Sequence, residues 1–97
     1  MPKFLIERQI PGAGKLTPAD LQGIASKSNG VIHALNLEGR DIQWVQSYVV
    51  DDNIFCVYNA PSADVIREHA MKGGFPANAV MDLRAMIDPT TADTKKS

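Results

Sequence analysis

The chain has two histidines, one cysteine and one tryptophan, and its remaining chemistry would have to come from carboxylates, guanidiniums and tyrosines. His69 stands next to Glu68 in a segment that reads as a helix, and His33 lies near the end of an earlier one. Imidazole with carboxylate suits nickel, zinc or copper, provided several donors converge. No H-x-x-x-H spacing places two imidazoles on one helical face, so a metal site of His69, Glu68 and His33 would need the fold to assemble it, at the surface or across a dimer. The plainer roles are a partly buried His69 bonding a backbone carbonyl, and a His33 whose charge is favoured near a helix C-terminus.

A second constellation is Glu7 and Arg8 at the end of the first apolar run, with Trp44, Tyr58 and His69. Set between helices and sheet, these would line a small-molecule cleft. Arg8 would hold an anionic group and His69 would serve as acid or base. The aromatics Trp44, Tyr48 and Tyr58 equally suit plain packing, in the cleft or in a dimer core. A third reading is an interaction module with no small ligand.

Other signals carry less. PGAGKLT (residues 11–17) resembles a phosphate loop, but Gln9 stands where the motif needs its first glycine and Leu16 where it needs Ser or Thr. Glu7, Glu38, Glu68 and Asp82 show no spacing that forces a catalytic pair. Cys56 has no neighbouring base, so no nucleophile is assigned. As the single cysteine it excludes an internal disulfide and a multi-cysteine zinc site, and it reads as a small buried thiol. Which sheet face it occupies is open, because a one-residue slip in register reverses it.

The elements that would position these residues are marked by breakers and caps. Lys3 to Ile10 is a strand stopped by Pro11–Gly14, and Thr17 caps a helix with Pro18 at its first position and Asp20 in its first turn. That helix carries Leu21, Ile24, Ala25, Ser28, Ile32 and Leu35 on one face and ends near Leu35, with 36–41 as loop. Ile42 to Val50 and Ile54 to Asn59 are strands joined at Asp51–Asn53. Ser62 offers a cap for a helix from Ala63 to Lys72, which Gly73–Gly74 stops. Ala79 to Ile87 is the last strand, and residues 89–97 form a polar, mobile tail after a domain of residues 1–88.

The order β-α-β-β-α-β predicts an α+β, ferredoxin-like fold: a four-stranded antiparallel sheet with both helices on one face. Strict alternation puts Ile42, Trp44, Gln46, Tyr48 and Val50 on one side of the second strand, with Val45 and Val49 on the other. Neither side of the sheet is plainly polar. One helical layer covers one side only, so we expect a homodimer with sheets face to face, closing into a barrel-like α+β assembly.

Composition agrees with one ordinary domain, 44% hydrophobic and 22% charged, with a formal net charge of -1. The absence of a basic stripe argues against nucleic acid and anionic membrane as partners. No apolar segment approaches a membrane span and no signal-peptide pattern precedes the first strand, which points to the cytoplasm.

KFLIERQIPGAG, IQWVQSYVVDDNIFCVYNAP, IREHAMKGGFPAN and IDPTTAD together resemble a family of small bacterial ferredoxin-like proteins, long classed as a domain of unknown function, that includes a nickel-binding protein. The resemblance runs from about Met1 to Asp93. It implies a cytosolic dimer with the α+β sandwich described above, and nickel or another divalent metal as cofactor, for sequestration or sensing. Where the nickel-binding branch carries histidine near the end of the first strand and before the proline after the second helix, this chain carries Arg8 and Phe75. His69 lies one position from the family's helix histidine.

Overall fold

A computed structural model describes residues 1–93 of the chain. The first strand, β1 (Lys3–Gln9), is central: it pairs antiparallel with β3 (Asn53–Asn59) on one side and with β4 (Ala79–Asp82) on the other. β2 (Gln43–Val49) pairs with β3 at the edge, giving the order β2-β3-β1-β4. Helices α1 (Pro18–Leu37) and α2 (Ala63–Gly73) complete the two-layer, ferredoxin-like α+β fold. Both cover the same sheet face, where Leu35 and Ile66 join Phe4, Ile6, Ile54, Cys56 and Tyr58 in one core. Ile6, Leu35, Ile42 and Ile66 lose almost all solvent contact, worth about 1.5–3 kcal/mol each.

Local chemistry sets the boundaries. The Thr17 hydroxyl accepts from the Asp20 amide while the Asp20 carboxylate accepts from the Thr17 amide, a reciprocal cap that fixes the start of α1. Those bonds hold the Asp20 carboxyl below its ordinary value, the Thr17 backbone bond contributing most. α1 runs two residues past Leu35, where we expected it to end. Its stop is Gly39, with the Arg40 amide returning to the Leu35 carbonyl. Asn36, expected in the loop, is helical and bonds both the amide and the carbonyl of Ile42, so it ties the start of β2 to α1.

One further expectation is corrected. β4 ends at Asp82 rather than Ile87, because its partner begins at Lys3 and the ladder's last bond is Leu83 N–H to the Lys3 carbonyl. Within the expected tail, Pro89–Asp93 forms a 3-10 turn, with Asp88 accepting from Thr90. The rest of that tail, 94–97, lies outside the described residues. Ser62 does precede α2, but its side chain makes no capping bond.

The alternation expected for β2 is broken by a bulge at Val45. Trp44 pairs with Tyr58 and Gln46 with Val57, so Val45 has no partner. Facing inverts beyond it: Ser47 and Val49 join Trp44 on the helix side, and Gln46 and Tyr48 turn to the outer face. Cys56 faces the helices, buried between Ile54 and Tyr58.

Candidate functional site

The helix-side face of the sheet and α1 enclose a cleft of about 240 Å³, lined by Arg8, Ser28, Trp44, Ser47, Tyr58 and Phe75 with an aliphatic remainder. That volume is just under the roughly 300–1,000 Å³ of pockets for drug-sized ligands, so it suits something smaller. Trp44 forms part of the wall and leaves the cleft open; Tyr48 is on the other face of the sheet, half exposed.

Arg8 is the one charged side chain in this lining, and it is only 3% exposed. It points inward because β1 alternates, with Phe4 and Ile6 on the same face. Its Nη1 donates to the Pro76 carbonyl at 2.7 Å and its Nε to the Cys56 sulfur at 3.3 Å. The guanidinium carbon lies 5.8 Å from the Tyr58 ring centre and 5.5 Å from that of Phe75, both within cation–π range. Nη2 has no protein hydrogen-bond partner, and none of the salt bridges among the described residues involves Arg8.

Behind the wall runs a polar chain. Ser28 Oγ lies 3.3 Å from the Tyr58 hydroxyl and 3.0 Å from His69 Nε2. His69 is wholly buried, stacked on Phe75 at 5.6 Å, and its Nδ1 has no partner. Burial above all, then the Arg8 charge, lowers its pKa from 6.5 to about 4, so the ring is neutral at physiological pH. Burial likewise pushes the Tyr58 hydroxyl up, partly opposed by its bond to Ser28. His69 does not line the cleft, and its Nε2 lies 3.0 Å from the Ser28 hydroxyl. It positions Ser28 and Phe75.

The end of α2 places Phe75. Gly74 caps the helix at φ 70°, a conformation that costs other residues strain, and the Phe75 amide returns to the Ala70 carbonyl. Gly73 is packed so closely under the ring that an added Cβ would collide with it. On the other side of the cleft, Trp44 Nε1 donates to Ser47 Oγ at 2.9 Å, a contact made possible by the bulge that puts both on one face.

Of the residues singled out in the sequence, Arg8, Trp44 and Tyr58 meet in this cleft. Glu7 does not: as the next residue along β1 it faces the outer side, where Asn53 donates to it at 3.2 Å. Glu68 turns away from His69 to Arg40, at 2.8 Å, and Lys72, at 3.6 Å. His33 is exposed on α1. Among the described residues no three His, Cys, Asp or Glu side chains gather closely enough to hold a metal ion. The Arg8 cation acts on His69 and opposes a second cation there.

Sequence reasoning passed over Ser28, Ser47, Cys56 and Phe75 as lining residues. Ser28 did give a signal, as a hydroxyl inside the apolar face of α1. Phe75 gave another, as an aromatic directly after two glycines. Ser47 gave none, since its facing depends on the bulge.

Among solved structures, the chain is similar to the crystal structure of SCO4226 from Streptomyces coelicolor A3(2), with a TM-score of 0.71 and 16% identity, covering 88% of this chain and 99% of that one. At that identity the likeness speaks for the fold. A search of curated proteins gives no match. No helix among the described residues is long and apolar enough to cross a membrane. The family model for SCO4226-like nickel responsive proteins matches residues 4–83, every strand and helix of the sheet layer and its cover, and the chain belongs to that family.

Proposed function

We propose that this chain is a binding protein whose cleft takes a small, largely apolar molecule. The observation that carries this is the cleft itself, about 240 Å³ with a mostly apolar wall and a few polar groups converging on it. A tightly packed domain has few voids of that size. Ser28, Ser47 and Tyr58 supply hydroxyls for orientation, and Trp44 supplies a flat wall. The test is titration of the full chain with benzamide, followed by Trp44 emission. A saturable change that disappears in Ala25→Phe, which fills the cleft from α1, is the expected result. An unchanged spectrum at saturating benzamide contradicts the reading.

A second reading, favoured by the family's nickel-responsive description, is binding of nickel or another divalent cation for sequestration or sensing. Its donors would be His33, Glu68 and His69, completed by a second copy of the chain, because the described residues of one chain do not bring three donors together. Calorimetric titration of chelator-treated protein with nickel, zinc and magnesium tests it. Saturable nickel binding lost in His33→Ala or His69→Ala supports it; binding untouched by both substitutions, or no binding, removes it.

Either reading is compatible with a homodimer, which we propose on the outer sheet face. Leu5, Tyr48, Phe55 and Met81 lie together there around a buried Val57, and no helix covers them among the described residues. Glu7, Gln46 and Asn53 give that patch polar neighbours, as in the rim of an interface.

A further inference from the structure

We infer that the occupant of the cleft is a monocarboxylate with a compact apolar body, its carboxylate on Arg8 and its body against Trp44 and the aliphatic side chains of α1. This rests on the ligand-binding reading above and names the class of ligand.

The cleft holds a cation that lacks an anion among the described residues. Arg8 is 3% exposed, yet among the described residues no carboxylate pairs with it, and none lines the cleft. Buried charges are ordinarily paired, because an isolated one loses its hydration without compensation. The groups Arg8 does touch are neutral: the Pro76 carbonyl, the Cys56 sulfur and two aromatic faces. These fix the plane of the guanidinium but leave Nη2 without a protein partner. A guanidinium held in place with Nη2 unpartnered can donate a charge-assisted hydrogen bond to a carboxylate oxygen.

The rest of the lining decides what the carboxylate is attached to. Leu21, Ile24 and Ile54 offer only dispersion and apolar contact, and Trp44 offers a ring face. A phosphate dianion would bring a second negative charge to a lining that contains a single cation. Lys27, whose Nζ lies 5.8 Å from the Phe75 ring centre, does not line the cleft. A divalent metal fits still less well, since Arg8 repels it. The small volume limits the body to something near one ring or a short chain.

The experiment compares benzoate with benzamide, nearly the same shape and differing in charge, on the full chain with Trp44 emission as readout. Benzoate should bind at least tenfold more tightly. Arg8→Met should bring benzoate to the level of benzamide. The wild-type comparison needs no variant, so it decides the matter even if Arg8→Met does not fold. Equal affinity for the two probes overturns the carboxylate assignment and leaves the cleft as a neutral binding site. Failure of both probes overturns the binding reading with it. Inorganic phosphate or chloride competing as well as benzoate does would show a bare anion site and overturn the role of the apolar body.

Discussion

Arg8 and His69 are adjacent in space and opposite in character. The buried Arg8 guanidinium rests on two aromatic faces and a carbonyl. His69 gives up its charge, because burial and that same guanidinium hold its pKa near 4 against an ordinary 6.5. The unfolded chain therefore binds a proton at His69 that the native chain does not. The stability this contributes is complete above pH 6.5 and drains away as pH falls toward 4. At about 1.4 kcal/mol per pH unit the loss is roughly 3 kcal/mol. Urea unfolding across that window should show the decline in wild type and a flatter profile in His69→Gln. Parallel profiles would mean that His69 is not the group responsible. Replacing Ser28 by Ala should cost about 1–3 kcal/mol, since it leaves His69 Nε2 and the Tyr58 hydroxyl buried and unpaired. An unchanged denaturation midpoint would contradict that.

Two elements shape the cleft, the β2 bulge and the end of α2. Because Val45 is the unpaired residue, deleting it should leave Trp44, Ser47 and Val49 facing the helices, with a folded chain and native Trp44 emission. A deletion that unfolds the chain would mean the bulge sets more than local facing. Gly73→Ala should cost about 1–3 kcal/mol in thermal unfolding, because the new methyl group overpacks against Phe75 and moves the wall of the cleft. An unaltered melting temperature would contradict it. The element order was legible in the sequence because Pro11–Gly14, Thr17–Asp20, Asp51–Asn53 and Gly73–Gly74 each carry their own local signal. The site was legible only in part. Arg8, Trp44 and Tyr58 were within reach because β1 and β3 keep strict alternation and Trp44 precedes the bulge. Ser47 was not, because no turn residue or glycine marks the bulge at Val45. Glu7 was misplaced for a simpler reason, since sequence neighbours on a strand point to opposite faces. The early end of β4 reflects the length of its partner, which periodicity in residues 79–87 does not reveal.

For the molecule as a whole, the two sheet faces differ in what covers them. Helices cover one, and the other presents Leu5, Tyr48, Phe55 and Met81. Sedimentation at micromolar concentration should give a dimer, and Leu5→Glu should give a folded monomer; a wild-type monomer would remove the proposed interface. The family to which the chain belongs is described by nickel responsiveness, while the cleft in this member carries an unpaired buried cation. Those two facts make the charge of the occupant the question that matters most. It is answered most directly by heteronuclear NMR of the full chain during titration with benzoate and, separately, with nickel. Binding in the cleft predicts saturable shifts with benzoate at the Trp44 indole N–H and the Arg8 Nε–H, with outer-face amides such as Val57 unmoved. Shifts confined to the outer face, or cleft signals that respond to nickel and ignore benzoate, would contradict it.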